Sequence, residues 1–218
     1  HYKSKRRAWV AARSFVRRRT KNDIFMDRAK DLSIVIPNYR ERRLMEVYAH
    51  CKNIFPTAEI ILQDDLDGRG KGWAMREGVK KATRKNICFI DGDMDIHPIE
   101  IYKLLYEISE YPVVIGKRIY KVSIGRRILS VGYKVLIYLL FGFAISIDTQ
   151  CGVKMFQAEW LPDWETDSFA YDIEILAKAI NMGCPIKQVP IYCETRKTKS
   201  FKAVWDTFVE TIKVRKRV

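Results

Sequence analysis

No Cys-x-x-Cys pair occurs in the 218 residues, and the five cysteines (Cys51, Cys88, Cys151, Cys184, Cys193) are odd in number. That excludes a zinc ribbon or a thioredoxin-type centre and argues against a disulfide framework, leaving reduced thiols in a cytosolic setting. Histidine is scarce: His1, His50 and His97 are scattered without ligand spacing and read as structural. The most apolar stretch, 126–147, is interrupted by Gly132, Lys134 and Gly142, so a helix in the core or in a membrane interface is expected there rather than a span. Repeats, low-complexity linkers and nucleic-acid motifs are missing, and the aromatics do not alternate with the basic tracts, so no nucleic-acid partner is expected. No secretion signal is seen, and a start at His1 rather than Met reads as a fragment or a processed chain.

Acid is also absent locally. Between Tyr111 and Ile147 there is no Asp or Glu, against Lys117, Arg118, Lys121, Arg126, Arg127 and Lys134. An all-basic stretch beside apolar surface suits a lipid with a phosphate head. The net charge of +14 is concentrated at the two ends: residues 1–21 carry nine Lys/Arg and no acid, 194–218 a net +5, and 22–193 are neutral. Basic ends on a neutral body fit an anionic membrane surface. Residues 3–21 interleave Trp9, Val10, Phe15 and Val16 with arginines, which predicts a basic amphipathic helix, either solvated or lying on a membrane.

What is present alternates. Short apolar runs (32–36, 58–62, 86–90, 113–115, 186–191) predict strands, and helical spacing predicts helices over 41–54, 72–82, 98–109, from Asp172 to near Gly183, and 201–214. Alternation of this kind implies an α/β fold with a parallel, doubly wound sheet. At 48% hydrophobic, the chain can bury the core of one such domain.

Asp91-Gly-Asp93 stands where the run 86–90 should end. Residues two apart on a strand point the same way, and two carboxylates at its carboxyl end suit a divalent cation that also holds phosphate oxygens. Asp95 has the same parity. On spacing alone such a triplet is more often a solvated acidic turn.

Further motifs accompany it in order. Ser33-Ile-Val-Ile-Pro-Asn-Tyr-Arg-Glu41 resembles the opening strand and loop of family 2 glycosyltransferases, and Gly70-Lys-Gly72 with Ala74 and Arg76 resembles their Gly-Lys-Gly segment. Asp91-Gly-Asp93 with Pro98 resembles their Asp-x-Asp strand end. Ile115-Gly-Lys-Arg118, Arg126-Arg127, Asp148-Thr-Gln-Cys-Gly-Val-Lys154 and the helix Phe169–Leu176 are similar to the polyprenyl-phosphate branch, the dolichyl-phosphate mannose and glucose synthases. Three departures stand out. Only 60–68 separates the first helix from Gly70, where the family has a further helix and strand; Arg40 replaces Asn; and Asp95 replaces Gln.

The resemblance implies a single GT-A-type, Rossmann-like domain with helices on both faces of a mostly parallel sheet and membrane-interface amphipathic helices. It implies a basic segment over 1–30, a catalytic domain over 31–200 (donor half 31–116, acceptor half 117–200) and an amphipathic helix over 201–218. The implied reaction is metal-dependent, inverting transfer of a sugar from a UDP- or GDP-linked donor to a polyprenyl phosphate, at the cytoplasmic face of a membrane. Mg²⁺ or Mn²⁺ would be held by Asp91, Asp93 and Asp95. Donor contacts are implied for Pro37, Tyr39, Glu41, Asp64, Asp65, Lys71, Asp91 and Gly92, although Lys71 is equally a surface lysine. Acceptor phosphate would meet Arg118, Arg127, Ser130, Lys134, Arg196 and Lys199, the arginines being otherwise solvated. Catalytic roles fall to Asp93, Arg118 and Asp172, with Asp172 or Glu174 as base for an alcohol acceptor, or Asp172 a helix cap. Cys151 reads as a packed small residue. Two rival readings are a family 2 enzyme acting on a sugar hydroxyl, and a non-catalytic basic membrane- or nucleic-acid-binding protein on the same fold.

Overall fold

The structure, a computed structural model, describes residues 27–119, 124–142, 147–194 and 209–218. Its strands are β1 (Leu32–Asn38), β2 (Glu59–Asp64), β3 (Asn86–Phe89), β4 (Val113–Ile119), β5 (Lys154–Gln157) and β6 (Ile186–Tyr192). Between them run helices α1 (Leu44–Ile54), α2 (Lys71–Lys81), α3 (Ile101–Glu107), α4 (Ile124–Phe141) and α5 (Tyr171–Asn181), and residues 209–214 are helical again. The strands form one sheet in the order β2-β1-β3-β5-β4-β6. Strand β1 is parallel to β2 and β3, and β4 to β6, whereas β5 runs antiparallel between β3 and β4.

The expected mostly parallel sheet is there; the antiparallel β5 is the element the periodicity did not predict. It is four residues long and carries a lysine, so no apolar alternation marks it. Pro37 lies inside β1 without cost: its partner is Gln63 of β2, and β3 pairs only as far as Val35, so no ladder bond is lost on the other side. The shortened stretch before Gly70 forms one strand, with no further helix before α2. The single strand β2 forms the sheet edge and passes through residues 65–70 directly into α2.

Two apolar cores flank the sheet. One packs α1 and α3 through Val47, Cys51 and Leu104, with Phe55 just after α1, onto Ile34, Ile36 and Met155. The other packs α2, α4 and α5 through Met75, Ile137 and Leu176 onto Val35, Phe89 and Phe156. The carboxyl ends of β1, β2 and β3 therefore open together at one edge, the usual ligand edge of an open α/β sheet. Among the described residues no helix is long and apolar enough to cross a membrane, in line with the interrupted run over 126–147.

Candidate active site

At that edge lies a cavity of about 360 Å³ lined by Pro37 and Asn38 at the end of β1, Tyr39 and Glu41 after it, Asp65, Gly68 and Gly70 between β2 and α2, Lys71 and Ala74 at the start of α2, Asp91, Gly92 and Asp93 after β3, and Phe169. It gathers most of the sequence-expected donor residues. Asp64 is the exception: it is exposed and accepts from the Asn38 amide at 2.6 Å instead of lining the cavity.

The loops are built from their own side chains. Asn38 Oδ1 accepts from the Glu41 amide at 3.2 Å, which folds the loop after β1. Asp65 is 3% exposed and accepts from the backbone N–H groups of Arg69 (2.8 Å) and Gly70 (2.7 Å), so it shapes the turn between β2 and α2. Gly70 has φ 119°, a conformation for which glycine is the natural residue, and any Cβ there would strike the Asp167 carbonyl. That carbonyl also accepts from Gly72 N at 2.6 Å and Trp73 N at 3.2 Å. The N–H groups of 69, 70, 72 and 73 are thus spent on protein oxygens, so the start of α2 offers the cavity chiefly its lysine.

Lys71 reaches across to Asp91, Nζ to Oδ1 2.6 Å, with its side chain only 15% exposed. Burial pulls the ammonium down, but Asp91 and Asp172 together outweigh it and hold the pKa above the ordinary lysine value. This lysine is half-buried in the cavity wall and paired, not a solvated surface residue. Asp93 Oδ1 accepts from Asp95 N at 3.0 Å, and the Asp95 carbonyl accepts from Glu194 N at 2.7 Å. Asp95 lies beside the cavity rather than on its lining.

Among the described residues no three His, Cys, Asp or Glu side chains converge as a metal cage. The donor set nevertheless fits a hard cation: Mg²⁺-like ions are commonly held by one or two carboxylates plus substrate phosphates. Asp91 and Asp93 have that composition.

Behind this wall lies a feature that the motif reading passed over. Lys154, 1% exposed on β5, pairs in register with Phe89 and Ile115 and places Nζ 2.7 Å from Asp172 Oδ1 and 2.6 Å from the Cys151 carbonyl. A lone lysine inside Val153-Lys-Met-Phe156 was the available signal. The loop it pins carries Gly152, whose absent side chain makes room for the Asp91 carboxylate. Asp172 is therefore committed to a buried ion pair and is not a simple helix cap. Glu174 accepts from the N–H groups of Glu165 and Thr166 and from Lys178; burial pushes its carboxyl up, but these bonds win and hold it below the ordinary range. Cys151 is fully buried, and burial pushes its thiol up to about 12, consistent with packing rather than nucleophilic work.

Arg118, at the end of β4, makes a two-bond fork to Asp148 (2.8 Å each), and Asp148 also accepts from Arg118 N at 3.2 Å. Burial raises the Asp148 carboxyl, but the Arg118 hydrogen bonds and charge outweigh it and depress the pKa. A depressed folded value stabilises the fold above the ordinary aspartate pKa of about 3.9 and loses that contribution as pH falls through the folded value. Asp148→Asn is thus expected to be less stable than the parent at pH 7, with the gap closing below about pH 4; urea midpoints across pH 2–7 measure it. Of the other expected phosphate residues, Arg196 and Lys199 lie outside the described residues, as do the side chains of Arg127, Ser130 and Lys134, whose backbones belong to α4. Most of the basic N-terminal segment, residues 1–26, also lies outside them.

A mostly parallel sheet with paired acids, a half-buried lysine and an aromatic loop at one carboxyl edge defines the GT-A type of α/β fold. Residues 66–150 match the family described as glycosyl transferase family 2. Over that segment the chain is similar to family 2 glycosyltransferases, and it resembles the dolichyl-phosphate sugar synthases. It is 29% identical over 153 residues to dolichyl-phosphate beta-glucosyltransferase of Dictyostelium discoideum, covering 62% of this chain and 46% of the relative. The Saccharomyces cerevisiae enzyme of the same name is 31% identical over 147 residues (56% and 44%), and the Homo sapiens one 25% over 219 residues (74% and 67%). The chain thus spans a little under half the length of the first two. Among solved structures, glucosyl-3-phosphoglycerate synthase from Mycobacterium tuberculosis, determined with Mn²⁺ and UDP-glucose, shares the fold at TM-score 0.71 and 16% identity, covering 87% of this chain and 81% of that one.

Proposed function

We propose that residues 31–200 form the catalytic domain of an inverting, metal-dependent glycosyltransferase that moves a sugar from a nucleotide-sugar to a polyprenyl phosphate at a membrane. The observation that carries this reading is the commitment of the candidate bases. An alcohol acceptor needs a carboxylate to take its proton. Asp172 is tied to Lys154, and Glu174 to two backbone N–H groups and Lys178. An acceptor already ionised at neutral pH needs neither.

In this reading the donor base rests over Pro37, Tyr39 and Glu41, with Asp65 shaping the rim, and the diphosphate faces Lys71. Asp91 and Asp93 would hold Mg²⁺ or Mn²⁺, with Gly92 allowing close approach; a bound cation neutralises charge on the departing diphosphate. Lys71 supplies a second positive charge there. The acceptor phosphate would be met by Arg127, Ser130, Lys134, Arg196 and Lys199, the Arg127 and Arg196 forks suiting its oxygens, while Arg118, its fork held by Asp148, would add positive charge beside them. The names of the relatives make UDP-glucose and dolichyl phosphate the first substrates to offer, and the lipid acceptor implies membrane association.

The test is a panel of UDP- and GDP-sugars with a polyprenyl phosphate and Mn²⁺ or Mg²⁺, followed for a lipid-linked sugar. Product is expected with the parent chain and none with Asp91→Ala/Asp93→Ala. Transfer to a water-soluble sugar hydroxyl with no lipid phosphate present would sink the proposal.

A further inference from the structure

The two ends of the cavity differ in what they can recognise. At one end Lys71 Nζ lies 2.6 Å from Asp91 Oδ1 and 5.8 Å from the centre of the Phe169 ring. Glu41 stands at the same end, beside Gly92: a Cβ on that glycine would lie 3.7 Å from Glu41 Cβ. Carboxylates and a cation gather here, so this end takes a diphosphate and its metal. The other end lies where the loop after β1 meets the turn between β2 and α2. Tyr39 rests there against Gly68, where a Cβ would lie 3.6 Å from Tyr39 Cε2.

The polar side chains of this second end are already engaged with one another. Asn38 donates through Nδ2 to Asp64 Oδ1 (2.6 Å) and accepts from Glu41 N at its Oδ1 (3.2 Å). Both oxygens of the buried Asp65 accept from the turn, from Arg69 N and Gly70 N, and Asp65 N donates to the Asn38 carbonyl at 2.8 Å. Strand β2 is the edge of the sheet and runs through this turn directly into α2, so among the described residues no strand stands outside it to carry a reading group. What this end presents to the cavity is the Tyr39 ring, 56% exposed, with the Arg40 guanidinium carbon 5.9 Å from its centre.

An aromatic ring stacks on any base, because every base has a π-face, and a guanidinium beside it meets that face without reading an edge. Discrimination by orders of magnitude needs buried donors and acceptors matched to one partner. We infer that the cavity holds its donor by the diphosphate and by stacking of the base on Tyr39, and does not select the base, so that uracil, guanine and adenine nucleotides enter alike. The inference rests on the nucleotide-sugar reading of the site and adds that the base goes unread.

The experiment is calorimetric titration of the full chain with UDP, GDP and ADP in the presence of Mn²⁺, for the parent, Tyr39→Ala and Asp91→Ala/Asp93→Ala, each beside a thermal melt. The parent is expected to bind the three nucleotides with Kd values within about tenfold of one another. Tyr39→Ala should weaken all three together, by about tenfold. A wider spread in the parent means that one base is read and overturns the inference. So does a folded Tyr39→Ala chain that loses affinity for one nucleotide only, or for none. Should that variant fail to fold, the spread in the parent decides by itself. Failure of the donor reading looks different: either none of the three nucleotides binds the parent, or the double aspartate variant binds them as the parent does, and the inference then falls with that reading.

Discussion

Lys154→Met is expected to cost about 3–5 kcal/mol of folding stability, the usual penalty for removing one partner of a buried ion pair. The methionine fills similar volume, so the loss is electrostatic: Asp172 stays buried at 4% exposure with its Nζ partner gone, and the Cys151 carbonyl loses its donor. For a chain of this size that is a fall in Tm of roughly 6–20 °C. Replacing both partners, Lys154→Met/Asp172→Leu, should recover most of the loss, because no unpaired charge remains. Urea unfolding of both variants separates this from simple repacking. A single variant within about 1 kcal/mol of the parent would show that water reaches the pair.

Gly152→Ala should leave the protein folded and weaken its metal-dependent binding of a nucleoside diphosphate by more than about tenfold, or 1.4 kcal/mol. A Cβ at this position would overlap the Asp91 carboxylate. The carboxylate must then turn away from Lys71, now 2.6 Å distant, or the loop must retreat and carry the Cys151 carbonyl off Lys154. Either movement disturbs the wall that Asp91 and Asp93 form. Calorimetric titration of UDP with Mn²⁺, beside a thermal melt, distinguishes a site defect from unfolding. Unchanged affinity in a folded variant would mean that Asp91 has no part in holding the ion.

Much of the cavity edge was legible in the sequence. Alternation of apolar runs with helical spacing placed Asp91-Gly-Asp93 at the end of a buried strand, whereas Pro37, Tyr39 and Glu41, at the end of β1 and in the loop after it, were reached through the family resemblance. Strand β5 was not legible: four residues with a central lysine carry no period, and an antiparallel insertion between β3 and β4 is a matter of sheet topology. Asp64 and Asp65 were also indistinguishable as neighbours in sequence. Side-chain alternation on β2 and the turn after it buried one and exposed the other.

The sequence by itself determined the fold class, the order of its motifs and the segregation of charge, because strand and helix periods and the sign of ionisable groups are local properties. Tertiary structure alone decided the roles of the charges. It paired Lys71 with Asp91, locked Lys154 to Asp172 and forked Arg118 onto Asp148, pairs separated by 20, 18 and 30 residues. Whether a carboxylate is a base, a ligand or one half of an ion pair depends on what stands within 3 Å of it and on how much water remains, and only the closed fold sets those two conditions.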